Sequence, residues 1–300
     1  EELGYHGAVE PLAATVFGPA VALSFADDRE QAAAVAGRLC AGESLASVAL
    51  IEHGMSIYRP ALQTTVWTDG DGYRLSGTKQ MVACPAADHF LVSATWGGDG
   101  TNPGSEALLM VPANAAGLSQ MRFVAVDGAP YCELRLNDVK LPASALLVGR
   151  DRGAEAHARM LATLAFASAA ESLGILRRLF ETTRNYLKER VQFGKPLATK
   201  QVVRHRLAEM YMHIELTRSA VIGAAVRQAG SPDGLRSLAA AKITANTAAD
   251  YVGKQAVQLH GGMGVSDEYE VSHHYKRLLV LKAMYGDTRE HSRQLGAMAA

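Results

Sequence analysis

Three glycines crowd the stretch "QLHGGMGV" at residues 258–265, where Gly261, Gly262 and Gly264 follow Gln258 and His260. Glycines this close let a ligand approach bare backbone, and after a β-strand they open a helix onto a nucleotide diphosphate. Here the preceding residues, "LRSLAAAKITANTAADYVGKQAV", are alanine-rich and lack strand alternation. The glycines therefore end a helix, and the dinucleotide fingerprint does not apply. His260, His273 and His274 raise the question of a metal. His273 and His274 are adjacent on a predicted helix and face different ways, with no carboxylate at ligand spacing, so metal coordination is not expected. Glu268 and Glu270, just beyond the glycines, read as exposed charges.

Composition narrows what such a site could serve. The chain has 300 residues, 48% of them hydrophobic, enough to bury one large core or two modest ones without disulfide or metal staples. Thirty basic and thirty acidic residues cancel and no basic block stands out, which argues against nucleic acid or a membrane surface as partner. Small molecules and other proteins remain. Cys40, Cys84 and Cys132 match no zinc spacing and favour reduced thiols in a cytoplasmic protein. No stretch reads as long and apolar enough to span a bilayer. The opening "EELGYHGAVEPL" reads as mid-helix, so further N-terminal helical sequence is expected before it.

The elements that must position the glycines change character along the chain. Residues 1–43 are alanine-rich, with Pro11 and Pro19, and predict two short helices, the remnant of a helical domain. Residues 44–150 carry alternating segments such as "TTVWTDGDGYRLSGTKQMVA", whose Asp-Gly-Asp-Gly is a turn between strands. "DHFLVSATW", "EALLMVPA" and "YCELRLNDVKL" add strands, with "GGDGTNPGS" as a loop. Residues 151–300 are poor in proline and place apolar residues at helical spacing, predicting four or five helices packed as a bundle. The expected class is α+β: a shortened helical part, a barrel-like β-domain, and a C-terminal four-helix bundle.

Two motifs identify a family. In "ERVQFGKPLATKQVVRHRLAEMYMHIELTR" a helix ends near Gln192, a Phe-Gly-Lys-Pro turn follows, and an amphipathic helix starts at about Thr199. This resembles the acyl-CoA dehydrogenase family, whose Arg-x-x-Phe-Gly-Lys turn joins the first two helices of its C-terminal bundle. "QLHGGMGVSDEYEVSHHYKRLLVLKAMYGDTREH" is similar to that family's second signature, Gln-x-x-Gly-Gly-x-Gly before the last helices. The match covers the whole chain apart from the expected N-terminal helices. The resemblance implies that Arg190, Phe193, Gln258, Gly261 and Gly262, with Gln201 a further candidate, reach across an interface to FAD held mainly by the neighbouring subunit. Glycines admit the diphosphate and a guanidinium offers forked donors to phosphate oxygens. Taken singly, such a glycine is also an ordinary helix cap and such an arginine an ordinary surface charge.

The same resemblance exposes losses. The family's own-subunit flavin contacts are a Thr-Glu-Pro-Gly-x-Gly-Ser-Asp segment and a Trp-Ile-Thr or Trp-Ile-Ser segment. Here the first is "LIEHGMSIYRP", keeping only Glu52 and Gly54, and the second is "KQMVACP", with Met81 in place of the tryptophan and Ala83 in place of the hydroxyl. Members of the family remove an α-proton with a Glu while the β-hydride passes to flavin. In "MYGDTREH" Gly286 occupies that Glu position, and the alternative location on the first bundle helix holds Leu164 and Ala165. Asp287, one residue on, is a weak candidate base and reads as a solvated or helix-capping residue.

Cross-subunit groups kept and own-site groups lost imply a division of labour. Some acyl-CoA dehydrogenases pair a catalytic subunit with a homologue that completes its flavin pocket, and steroid side-chain CoA thioesters are among their implied substrates. The expected function is this non-catalytic role in a hetero-oligomer, with electron-transferring flavoprotein as acceptor. Two alternatives stand beside it: a self-sufficient enzyme using Asp287, and a flavin-free scaffold that binds a partner protein.

Overall fold

The computed structural model describes residues 1–58, 62–97, 105–227 and 231–299, so most of the "GGDGTNPGS" loop lies outside the described residues. These residues form two compact units. One comprises Glu10–Leu164, the other Glu1–Val9 with Ala165–Ala300.

The N-terminal region holds more helix than two short segments. A four-residue helix α1 (Glu2–Tyr5) belongs to the second unit, while the first begins with a π-helical turn (Ala13–Phe17), α2 (Gly18–Ser24) and α3 (Arg29–Cys40). Pro19 falls in the first turn of α2, directly after the π-helical turn whose end is marked by the Gly18 N–H on the Ala13 carbonyl, so helical backbone lies on both sides of the proline. Asp28 caps α3, its Oδ1 accepting from the N–H groups of Glu30 and Gln31 at 2.9 and 3.0 Å.

Eight strands follow: β1 (Ala46–Ala49), β2 (Thr65–Asp69), β3 (Gly72–Ala83), β4 (His89–Trp96), β5 (Glu106–Pro112), β6 (Leu118–Val124), β7 (Pro130–Pro142) and β8 (Leu146–Val148). They pair in the order β6-β7-β3-β2-β4-β5-β8. The Asp-Gly-Asp-Gly turn joins β2 and β3 as predicted, with Gly70 at φ 58°. β4 carries β1 in parallel along its first half (Ala46 opposite His89) and β2 in parallel at its end (Thr65 opposite Thr95). β3 slips register against β7 between Leu75 and Gly77 and again between Lys79 and Val82. Val66, Leu75, Phe90, Val92, Leu109 and Leu134 fill the core of this unit.

The second unit is helical. α4 (Gly153–Glu189) begins in the first unit and continues into the second, and a two-stranded hairpin, β9 (Val191–Gln192) with β10 (Lys195–Pro196), follows it. Then come α5 (Gln201–Ala225), α6 (Pro232–His260), α7 (Glu270–Ala283) and α8 (Thr288–Ala299). Leu173 and Leu176 of α4, Met210 and Ile214 of α5, Ala245 and Val252 of α6, and Leu278 of α7 share one core. Each buried leucine contributes about 1.5–3 kcal/mol of apolar transfer, and the small α6 residues let neighbouring helices close on it. One expectation is corrected here. α4, at 37 residues, contains a window of mean hydropathy 1.3, long and apolar enough to cross a membrane by composition, and 61% of that window is buried within the fold. Its apolar residues face protein on several sides, so periodic polar interruptions are scarce.

Candidate cofactor-facing site

The first candidate turn forms where α4 stops. The Arg190 N–H donates to the Tyr186 carbonyl at 2.8 Å, and the Leu197 N–H returns to the Arg190 carbonyl at 2.9 Å. Between them, Phe193 and Gly194 have φ of 56° and 74°, as a two-residue hairpin turn of the I′ kind requires. The helix thus ends at Glu189 and the next begins at Gln201, each two or three residues from the sequence expectation, because the Phe-Gly turn recruits its neighbours into a hairpin. Phe193 is 88% exposed, an unusual position for a phenylalanine, with the Lys200 Nζ 5.7 Å from its ring centre. Arg190 and Gln201 are exposed as well, and the guanidinium makes no ion pair or hydrogen bond among the described residues. Lys188, Arg190, Lys195 and Lys200 outnumber Glu189 here, so the turn is electropositive.

The second turn forms where α6 stops. Gly261 leaves the helix at φ 63° and ψ −137°, and a 3₁₀ turn (Gly261–Val265) follows. The three glycines differ in what holds them. Gly264 is buried, and a Cβ there would lie 2.5 Å from the Val257 carbonyl oxygen. Gly261 is dictated by its backbone angles. Gly262 has neither constraint: its φ is not left-handed and a Cβ would meet no atom within 4 Å. Gln258, Gly261 and Gly262 are all exposed.

Packing brings the two turns to one end of the helical unit. The ring of Tyr186, one turn before Arg190, stacks on His260, the residue before Gly261, with centroids 4.5 Å apart. The ring of Tyr269, preceding α7, has its centroid 5.2 Å from that of His260. Tyr186 lies outside both motifs, and the contact between it and His260 follows from no sequence spacing. The His260 Nδ1 lies 2.8 Å from the Ala256 carbonyl oxygen, and among the described residues no three His, Cys, Asp or Glu side chains gather as a metal site.

The own-subunit flavin segments do not fit a flavin. Glu52 is 5% exposed and fully engaged, with Lys79 Nζ 2.6 Å from its Oε1 and the Gln63 N–H donating to Oε2 at 2.5 Å. Lys79 is wholly buried and also donates to Ser93 Oγ at 3.1 Å. Burial works to raise the Glu52 carboxyl, but the Lys79 ammonium and these hydrogen bonds hold it below its ordinary value. Burial lowers Lys79 to about 8 against the pull of Glu52. Glu52 therefore closes a polar network within this chain. Met81 sits at φ 51° where β3 loses register, and Ala83, 6% exposed, offers no hydroxyl. Residues 59–61 of the same segment lie outside the described residues.

Both base positions are empty of carboxylate. Gly286 is buried at φ 94°, and Asp287 is exposed with Oδ1 accepting the Glu290 N–H at 2.8 Å, the cap of α8. Leu164 and Ala165 are fully buried. Glu268 is exposed, but Glu270 departs from expectation: it is half-buried, 2.8 Å from Arg178 Nη2 and accepting from Thr182 Oγ1 at 2.7 Å. A tertiary partner far along the chain took it out of solvent.

Comparison with known proteins extends the resemblance. The family model for the acyl-CoA dehydrogenase C-terminal domain matches residues 151–299. The short-chain-specific acyl-CoA dehydrogenase of Megasphaera elsdenii is 32% identical over 258 residues, 84% of this chain and 67% of that protein. Among solved structures, the ChsE4–ChsE5 complex of Mycobacterium tuberculosis aligns over 99% of this chain and 78% of that one, at 26% identity and TM-score 0.88. The Tcur3481–Tcur3483 steroid ACAD aligns over 99% and 78%, at 31% identity and TM-score 0.85. The chain spans between 61% and 67% of the length of the first curated relatives it matches. With similarity running through both the sheet unit and the helical unit, the chain belongs to the acyl-CoA dehydrogenase family.

Proposed function

We propose that this chain is the non-catalytic subunit of a heteromeric, FAD-dependent acyl-CoA dehydrogenase, completing the flavin pocket of a homologous catalytic partner. Gly262 carries the proposal: nothing among the described residues requires a glycine there, so the bare backbone serves a group from outside. When bound, FAD accepts the hydride from the β-carbon of the acyl-CoA. The work of this chain is binding and orientation. The unpaired Arg190 guanidinium offers forked donors to a diphosphate, Phe193 and Gln201 cover its flank, and Gln258 with Gly261 and Gly262 present side-chain amide and open backbone. Proton abstraction falls to the partner, because Gly286, Leu164 and Ala165 supply no carboxylate and that of Asp287 is committed to a helix cap.

The paired names of two structural neighbours, ChsE4–ChsE5 and Tcur3481–Tcur3483, support a two-chain assembly, and the second, a steroid ACAD, supports a steroid side-chain CoA thioester as substrate. Electron-transferring flavoprotein is the proposed acceptor. The test is co-purification with candidate partner subunits and measurement of bound flavin. The isolated chain is expected to carry almost none and the complex to be yellow; Arg190→Ala, which leaves every described contact intact, is expected to weaken flavin binding roughly 10- to 150-fold through loss of a charge-assisted contact. Stoichiometric flavin in the chain alone would sink the proposal.

A further inference from the structure

His260 closes α6 immediately before the open glycines and is only 3% exposed. Its Nδ1 faces the Ala256 carbonyl, which can only accept, so the ring proton sits on Nδ1 and Nε2 is a bare acceptor. That Nε2 is buried with no hydrogen-bond partner among the described residues. Burial pushes the imidazole down in pKa against the Ala256 hydrogen bond and the attraction of Glu270. A fold selected for stability alone has no use for an orphaned buried acceptor. What the ring does supply is a flat body in contact with two other rings, Tyr186 at 4.5 Å and Tyr269 at 5.2 Å. Tyr186 anchors the first turn, since its carbonyl takes the Arg190 N–H, and His260 is bonded directly to Gly261.

We propose that His260 is a positioning residue, a buried pin that holds the Arg190 turn and the Gly261–Gly262 turn at the one spacing that lets both meet a single adenine dinucleotide on a neighbouring subunit. This rests on the cross-subunit function proposed above. The two turns are more than sixty residues apart in sequence, and the stack joins the ends of the two helices that carry them.

The test compares wild type with His260→Ala and His260→Phe, using Arg190→Ala as a control. Backbone hydrogen exchange is read in the free full chain and FAD affinity in the complex with the catalytic partner. In His260→Ala, exchange is expected to quicken about tenfold at 191–197 and 261–265 together, while the middle of α5 is unchanged. FAD affinity is expected to fall about tenfold as the two turns lose their preset spacing. His260→Phe, which keeps the stacked ring without its nitrogens, is expected to restore both. Acceleration confined to 261–265, or a phenylalanine variant that behaves like the alanine one, overturns the pin. So does unchanged FAD affinity in His260→Ala while Arg190→Ala binds weakly. If Arg190→Ala also binds FAD normally, the cross-subunit function itself has failed. Should His260→Ala not fold, His260→Leu takes its place in the same comparison, with the same outcomes decisive.

Discussion

Replacing Gly261, Gly262 and Gly264 by alanine one at a time separates what the fold needs from what a ligand needs. At Gly264 the new Cβ would lie 2.5 Å from the Val257 carbonyl oxygen and 2.9 Å from the Val257 Cα, both backbone, so neither can swing aside. Overpacking of this kind costs about 1–3 kcal/mol. At Gly261 the cost is conformational: φ 63° with ψ −137° lies in a region side chains avoid, at about 1–3 kcal/mol. At Gly262 neither term applies, and alanine is expected to stabilise the free chain by about 0.4–1 kcal/mol, because the unfolded state loses freedom that the folded state never had. Thermal unfolding of the isolated chain reads all three, at roughly 2–4 °C per kcal/mol for units of this size. Flavin titration of the assembled complex should invert the order for Gly262: a methyl wedged against a cofactor is expected to cost about 1–3 kcal/mol, a roughly 5- to 150-fold weaker Kd. A Gly262→Ala complex that assembles and binds flavin like wild type would refute the argument that this backbone is bare for a ligand.

Further predictions follow from buried charge and from the empty base position. Lys79→Met leaves the Glu52 carboxylate buried beside the Gln63 N–H without its cation and is expected to destabilise the chain by about 3–5 kcal/mol, whereas adding Glu52→Gln should recover much of the loss; urea unfolding of the single and double variants checks this. His291 is fully buried and held down at about 4, chiefly by burial and then by Lys242, so the unfolded chain binds a proton that the folded chain refuses between pH 6.5 and 4. Stability should therefore fall by about 3 kcal/mol as pH drops through that window, and His291→Gln should flatten the profile of unfolding midpoints. Asp287→Asn keeps a capping side chain on the Glu290 N–H and is expected to leave turnover of the complex within a few-fold, whereas loss of a true base costs roughly 100-fold or more. Gly286→Glu is expected to gain no activity and to destabilise, since a glutamate must adopt φ 94°.

The sequence alone determined the Phe-Gly and Gly-Gly turns and the change from a strand-rich stretch to a helical one along the chain. Glycine, proline and helical periodicity are local signals, and Gly194 and Gly261 take the left-handed φ that their turns need. The capping role of Asp287 was legible for the same reason, because the bond it makes spans three residues. Element ends shifted by two or three residues where a hairpin formed. Only the tertiary structure decided the rest. Glu270 reads as a surface charge until Arg178 and Thr182, some ninety residues earlier, close on it. Lys79 sits in a strand whose alternation does not announce a buried cation, and its burial depends on Glu52 arriving from another segment. His260 and Tyr186 have no spacing that links them, and their stacking exists because α4 and α6 end side by side. Desolvation and long-range pairing depend on which distant residues become neighbours. Local propensity carries no information about that, so one chain can spell out its turns and still conceal what holds them together.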